Sequence, residues 1–110
     1  MKVEYYYSRA TGIAPETDAV IEEAMKEAGV VAEIEHIEVG DDGDARKQRF
    51  LGSPTVRING FDVEYQEREP PEYHSGRRFY STASGWKPYP KPEQLVRLLQ
   101  EQKEREERRA

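Results

Sequence analysis

The stretch FLGSPTVRINGFDVE, residues 50–64, decides the fold. Two short runs with alternating apolar residues, 55–58 and 61–64, flank the dipeptide Asn59-Gly60. Asn-Gly supplies the two positive-φ positions of a type I′ turn, which matches the twist of paired strands. The pattern predicts a β-hairpin that begins directly after a Ser-Pro pair.

The residues before this hairpin predict a strand–helix–strand unit. Residues 2–8 carry a valine and three consecutive tyrosines without a breaker, which is typical of a strand. Pro15 stands at the start of a helix with one apolar stripe, and Gly29 ends that helix. Residues 31–39 predict a second strand, with a bend or bulge near His36 because its apolar positions do not alternate perfectly.

Two further helices are predicted on either side of the hairpin. Asp44 is expected to cap a short helix that runs through Phe50 and ends at Gly52. Pro92 is expected to start the last helix, whose leucines form a buried face. Residues 101–110 lack large apolar side chains and predict a charged helical extension to a domain of residues 1–100.

The segment between the hairpin and the last helix is the least regular part of the chain. Pro70-Pro71 excludes both helix and central strand, so the sequence predicts a long loop over residues 65–85. Within it, residues 78–82 predict a short strand or an ordered connection. The expected element order is therefore β, α, β, α, β-hairpin, loop, α.

Composition limits the classes of protein that this chain can belong to. Its 110 residues suit one domain, and 35% are charged, which predicts a polar surface over a thin core. No run approaches the roughly 20 apolar residues of a membrane span. The first residues lack the apolar stretch of a signal peptide. We therefore expect a cytoplasmic location and no membrane partner.

Charge and cysteine content remove further functions. A formal net charge of -5 argues against a nucleic-acid partner, because phosphate binding needs a basic face. The local basic pair Arg77-Arg78 leaves an anion site as a minor alternative. The chain has no cysteine, which excludes disulfides, thiolate nucleophiles and cysteine-ligated metals.

The stretch 50–64, with Ser53-Pro54-Thr55 just before the third predicted strand, resembles the thioredoxin and glutaredoxin superfamily. The similarity is to small bacterial thioredoxin-family proteins and extends over about residues 2–100. It implies an α/β, thioredoxin-like fold with a mixed sheet of four or five strands flanked by helices. In that fold a proline at this place is typically cis and faces the active-site loop.

The resemblance also indicates where a redox site would lie. The family carries Cys-X-X-Cys where the first strand meets the first helix, and the helix N-terminus there stabilises a thiolate. Both sulfurs are missing from the corresponding positions in this chain. Family members bind extended peptides at this place through the backbone beside the proline. The residues implied here, which we call the loop–turn site, are Ala10, Thr11, Gly12, Ile13, Ser53, Pro54 and Thr55.

Other chemistry has weaker support in the sequence. The hydroxyls of the loop–turn site and of Ser8 would need a nearby base to act as nucleophiles, and capping or turn roles are favoured for them. His36 and His74 show no metal-ligand spacing with each other or with the acidic loop 41–44. No catalytic residue, metal or cofactor is therefore predicted.

Aromatic residues make up 10% of the chain and allow two interpretations. Strand alternation sends Tyr5 and Tyr7 to one face and Tyr6 to the other, and most aromatic side chains are expected to fill the core. The alternative is an aromatic-lined groove between the loop–turn site and residues 73–89, with a non-thiol enzymatic activity there as the weakest possibility.

Two functions remain open at this stage. The first is a redox-inactive thioredoxin-like domain that binds a peptide, protein or small ligand at the loop–turn site, or serves as a scaffold. The second is a cysteine-substituted or redesigned variant of a thiol–disulfide oxidoreductase. In either case no dithiol oxidoreductase activity is expected of the chain as it stands, because neither Ala10 nor Ile13 can attack a disulfide.

Overall fold

The computed structural model describes residues 1–64 and 74–109, without the side chains of residues 74–76. Over these residues the chain is a mixed α/β protein with three helices and a central four-stranded sheet. The elements in chain order are β1 (Val3–Ser8), α1 (Pro15–Ala28), β2 (Ile34–Val39), α2 (Asp42–Gln48), β3 (Leu51–Ser53), β4 (Thr55–Ile58), β5 (Phe61–Asp62), β6 (His74–Arg77), β7 (Tyr80–Thr82), β8 (Gly85–Lys87) and α3 (Pro92–Arg109).

The central sheet has the strand order β2-β1-β4-β5. β1 pairs with β2 in parallel and with β4 in antiparallel orientation, and β4 pairs with β5 in antiparallel orientation. β1 therefore lies between the strand–helix–strand unit and the hairpin, and its C-terminal end leads into the loop of residues 9–14. Two small two-stranded sheets, β3 with β6 and β7 with β8, complete the described part of the chain.

The predicted hairpin is confirmed. Arg57 pairs with Asp62 and Ile58 pairs with Phe61 across the turn. Asn59 and Gly60 have φ of 52° and 87°, the two positive values that a type I′ turn requires. The second strand is shorter than predicted, because regular pairing ends at Asp62 and residues 63–64 form a bend.

The bounds of α1 also agree with the sequence. Pro15 is its first residue, and Glu16 and Asp18 lie in the first turn, where negative charge favours the helix dipole. Gly29 adopts a left-handed conformation with φ of 71°, and the amides at this end bond back to carbonyls of the last turn.

The core lies on both faces of the sheet, but unequally. The larger cluster fills the space between the sheet and the helices α1 and α3, and it includes Tyr5, Ile21 and Tyr80. The smaller cluster lies on the opposite face under α2 and includes Tyr6 and Phe50. The predicted alternation of the tyrosines is confirmed, since Tyr7 packs against the larger cluster with Tyr5.

Two local predictions are wrong. β2 begins at Ile34 and keeps one continuous register with β1, so the predicted bulge near His36 is absent. α2 is capped by Asp41, whose Oδ1 accepts a hydrogen bond from the Asp44 amide at 2.8 Å. The helix ends before Arg49, which takes the left-handed conformation expected of Gly52.

The last helix starts at Pro92, as predicted, and continues without interruption past residue 100 to Arg109. Its C-terminal half contacts the hairpin, because Asn59 Nδ2 donates hydrogen bonds to Gln102 Oε1 at 3.2 Å and to Glu106 Oε1 at 3.3 Å. Gln102 is buried there. One side of this extension therefore contacts the domain through polar groups, although most of residues 101–109 are exposed and none of them is apolar.

The aromatic side chains divide between core and surface. Tyr5, Phe50 and Tyr80 are among the largest fully buried side chains, whereas Phe79 and Trp86 are exposed, Trp86 to 71%. Trp86 lies on the β7–β8 pair opposite Ser81. The sequence predicts a loop over residues 65–85, but residues 74–77 and 80–82 form the strands β6 and β7, the second of which agrees with the short strand predicted within 78–82. The first part of that segment, residues 65–73 with two tyrosines, lies outside the described residues. Among the described helices none is long and apolar enough to cross a membrane.

We expect Gly60→Val to lower the free energy of unfolding by about 1 kcal/mol or more. An ideal Cβ at Gly60 would meet no atom within 4 Å, so the cost is the positive φ of this position and not a steric clash. Thermal unfolding followed by circular dichroism measures it. Gly60→Asn is the matched control and should cost less, because asparagine tolerates positive φ. Equal stability of the valine variant and the wild type would contradict the turn geometry.

Candidate functional site

The loop after β1 folds back onto the end of that strand. The Ser8 carbonyl accepts hydrogen bonds from the amides of Thr11 and Gly12 at 3.2 and 2.9 Å. Gly12 has φ of 69°, which favours glycine at this position. Just before α1, the amide of Ala14 donates to the Tyr5 hydroxyl at 2.9 Å. Both ends of the loop are thus fixed to β1.

Three hydroxyl groups connect this loop to the turn before β4. Thr11 Oγ1 donates to Ser53 Oγ at 2.6 Å, and it lies 2.9 Å from Ser8 Oγ. When Thr11 donates to Ser53, Ser8 acts as the donor to Thr11, because a hydroxyl has a single proton. The result is a directed chain of hydroxyls that ends on Ser53.

The turn at Pro54 is compact and buried. The Ser53-Pro54 peptide bond is cis, as the resemblance leads one to expect, and Ser53, Pro54 and Thr55 are all buried. The Thr55 hydroxyl donates to the Gly52 carbonyl at 2.7 Å, which closes the turn on itself.

A buried arginine contacts the turn and the hairpin. Arg78 is 6% exposed, and its two terminal nitrogens each lie 2.7 Å from an oxygen of Asp62. Nη2 also donates to Glu64 Oε1 at 3.0 Å, and Nη1 donates to Thr55 Oγ1 at 3.3 Å. The guanidinium lies over the ring of Tyr80, 4.5 Å from its centroid. Such a bidentate pair fixes geometry as well as charge.

Two backbone contacts extend the same support. The Arg78 amide donates to the Ser53 carbonyl at 2.8 Å, and the Tyr80 hydroxyl donates to the Pro54 carbonyl at 2.6 Å. Both carbonyl groups of the Ser-Pro pair are therefore bonded to residues 78–80. Ser53 thus contacts the loop through its side chain and residue 78 through its carbonyl group.

The neighbouring carboxylates explain how Arg78 is buried in its charged form. Burial by itself would lower the pKa of Arg78, but hydrogen bonds and charge from Asp62 and Glu64 raise it overall. Arg78 therefore stays protonated at any pH at which the protein is folded. Burial raises the pKa of Tyr80 well above its ordinary value, although the nearby Arg78 charge acts in the opposite direction.

The predicted site residues are distributed unevenly in the structure. Thr11 and Ser53 are brought together by a direct hydrogen bond. Ala10 and Ile13 lie on the exposed side of the loop, Ile13 with 43% of its surface accessible. The basic pair considered as an anion site is divided, because Arg77 is exposed whereas Arg78 is committed to carboxylates.

The two histidines do not contribute a base to the hydroxyl chain in the described contacts. His36 Nε2 lies 2.8 Å from Asp18 Oδ1, and its ring packs against Tyr5. His74 starts β6, and its side chain is not among those described. Over the described residues no group of three or more metal-ligating side chains is present.

Sequence analysis missed Arg78, Asp62, Glu64 and Tyr80. The alternation of residues 61–64 gave no signal for them, because it places Phe61 and Val63 on the apolar face and the two carboxylates on the polar face. In the structure Phe61 is 37% exposed and Asp62 is buried, and a buried carboxylate needs a cation such as arginine. The sequence alone did not show which arginine.

Comparisons with known proteins identify no relative. The chain matches no protein-family model, no curated protein and no solved structure. The function is therefore inferred from the geometry of the loop–turn site itself.

We expect Arg78→Met to lower the free energy of unfolding by about 3 kcal/mol or more, because it leaves the Asp62 carboxylate buried without its cation. Urea unfolding measures this difference. Arg77→Met is the matched control: its side chain is exposed, so the change should stay within about 0.5 kcal/mol. Similar losses in both variants would show that burial of Arg78 is not what stabilises the turn.

Because of Tyr80, we expect the free energy of unfolding to decrease at alkaline pH. Its pKa is raised in the folded state, so the unfolded chain releases this proton first, and stability falls as the pH rises above about 10. Tyr80→Phe should be less stable at neutral pH, where it leaves the Pro54 carbonyl unpaired, but should lose less stability between pH 9 and pH 11, roughly. Parallel alkaline slopes for the two proteins would contradict this assignment.

Proposed function

We propose that this protein is a redox-inactive, thioredoxin-like binding domain whose ligand surface is the loop–turn site. The observation that carries the proposal is the hydrogen bond of 2.6 Å between Thr11 Oγ1 and Ser53 Oγ, which joins segments 42 residues apart in sequence. It brings the helix-leading loop and the Pro54 turn into contact, as the resemblance requires.

The arrangement of elements supports the thioredoxin-like part of the proposal. A parallel strand–helix–strand unit is followed by an antiparallel hairpin, and the Ser-Pro pair stands directly before that hairpin. Helices lie on both faces of the sheet. The final helix begins with proline, which is also the arrangement of the similar group.

The chemistry of the site supports binding in place of redox exchange. Its polar groups are hydroxyls, which donate and accept hydrogen bonds but have no thiol's ability to attack a disulfide. The exposed Ile13 side chain adds an apolar contact beside them. Because Ser53, Pro54 and Thr55 are buried, residues 10–13 form the part of the site that a peptide, protein or small ligand would contact first.

The alternative is a thiol–disulfide oxidoreductase whose cysteines have been replaced. The position of the loop supports this alternative. Residues 10–13 lie just before Ala14, the N-cap of α1, which is near the place where Cys-X-X-Cys lies in the family. The two proposals share the same residues. They differ in whether these residues bind a ligand or are the remainder of a redox site.

Restoring the cysteines tests both proposals. We expect Ala10→Cys/Ile13→Cys to form an intramolecular disulfide and to gain dithiol-dependent reduction of insulin, because α1 stabilises a thiolate at its N-terminus. The matched control is Gly40→Cys/Gly43→Cys, which places the same spacing outside the loop–turn site, across the start of α2, with Gly43 in the first turn of that helix. Its activity should be at least about tenfold lower, which corresponds to roughly 1.4 kcal/mol of barrier. A folded site variant no more active than the control would contradict the placement of the site.

Binding is mapped separately on the wild-type chain. Peptides selected from a random display library are titrated into labelled protein, and amide chemical shifts are followed by NMR. The proposal expects the largest shifts at residues 10–13 and 53–55. Strong activity of the cysteine variant without any peptide binding would favour the substituted oxidoreductase, and shifts clustered on another surface would contradict the binding proposal.

A further inference from the structure

The backbone of β3, which leads into Pro54, already pairs with another segment of the chain. β3, which ends at Ser53, forms a parallel pair with β6, in which Leu51 is opposite His74 and Ser53 is opposite Arg77. The Ser53 carbonyl accepts the Arg78 amide at 2.8 Å. An extended peptide that adds a strand beside Ser53 would need this same carbonyl.

The pairing itself is short and irregular. The three residues of β3 oppose four of β6, and the register shifts between its two ends. A bulged ladder of this length contributes few hydrogen bonds. Backbone pairing alone is therefore a weak attachment for β6.

Arg78 supplies a stronger attachment at one end of this pair. Its guanidinium binds Asp62 with two hydrogen bonds and Glu64 with a third, while its amide bonds to Ser53. These carboxylates follow β4 and belong to the hairpin, so the arginine connects β6 to the central sheet. Charged bidentate contacts of this kind are stronger than neutral hydrogen bonds.

We propose that β6, anchored by Arg78, is an intramolecular competitor that occupies the backbone edge of the loop–turn site. The inference rests on the proposed function of that site and describes its regulation: an extended peptide reaches the Ser53 carbonyl only when β6 leaves it. Because β6 is part of the same chain, it competes with a free peptide at an effective concentration on the order of millimolar. Even weak pairing of β6 is therefore sufficient to exclude a free peptide present at a much lower concentration.

The first experiment measures whether Arg78 holds β6. Amide hydrogen exchange is followed by NMR in the wild type and in Arg78→Lys, which keeps the charge but loses the fork of donors. We expect protection of the residue 78 amide to fall by about tenfold, while amides of β1 and β4 keep theirs. If that variant does not fold, Glu64→Gln is expected to change the same amide in the same direction. An unchanged residue 78 amide in a folded variant overturns the proposal.

The second experiment measures whether β6 excludes a peptide. In Leu51→Cys/His74→Cys/Arg78→Lys the two cysteines occupy paired positions, so oxidation fixes β6 and reduction releases it. The probe is a labelled synthetic peptide with the sequence of residues 74–80, HSGRRFY. We expect the reduced protein to bind it at least about tenfold more tightly than the oxidised protein.

The wild type controls for the reductant, since it contains no cysteine. Equal binding to the two redox forms, or no binding to the reduced form, overturns the competitor role. Neither result bears on the activity of the Ala10→Cys/Ile13→Cys variant, which tests the proposed function. The two proposals can therefore fail independently.

Discussion

The buried ion pair between Arg78 and Asp62 is the interaction on which the rest of the site depends. It joins the hairpin of the central sheet to the residue that follows β6, a strand that pairs with β3 and not with the central sheet. Two charges removed from water are costly unless they are well hydrogen-bonded, and here Glu64 and Thr55 accept further hydrogen bonds from the guanidinium. The same cation therefore contacts both the hairpin and the first residue after Pro54.

The features that local sequence determines were predictable. The Asn59-Gly60 turn, the ends of α1 and the alternation of the tyrosines in β1 each follow from the conformational preference of a few neighbouring residues. The loop–turn contact was expected from a resemblance, but the Thr11–Ser53 hydrogen bond that makes it required the coordinates.

The features that were missed are non-local or depend on competition between neighbours. β3 and β6 are each too short to give a periodic signal, and their pairing spans more than twenty residues. α2 ends at Gln48 because Arg49 adopts a positive φ, a role for which Gly52 was the better local candidate. The packing of residues 101–109 depends on polar contacts with Asn59, which no hydrophobic pattern predicts.

The loop–turn site is organised without the residues that define the redox family. Its loop is fixed to β1 by backbone hydrogen bonds, and its turn is fixed to residues 78–80. Neither set of contacts involves positions 10 or 13, where the cysteines would stand. The shape of the site therefore does not depend on the side chains at these two positions, which is what the proposed binding role requires.

The position of Trp86 has a consequence for spectroscopy. It is the single tryptophan of the chain, and it lies exposed on the β7–β8 pair, away from the packed interior. Its emission in the native protein should already resemble that of a solvated indole, so denaturation changes its wavelength little. The tryptophan emission should change instead when another molecule covers the β7–β8 pair. The intrinsic fluorescence of the protein therefore reports contacts at that surface.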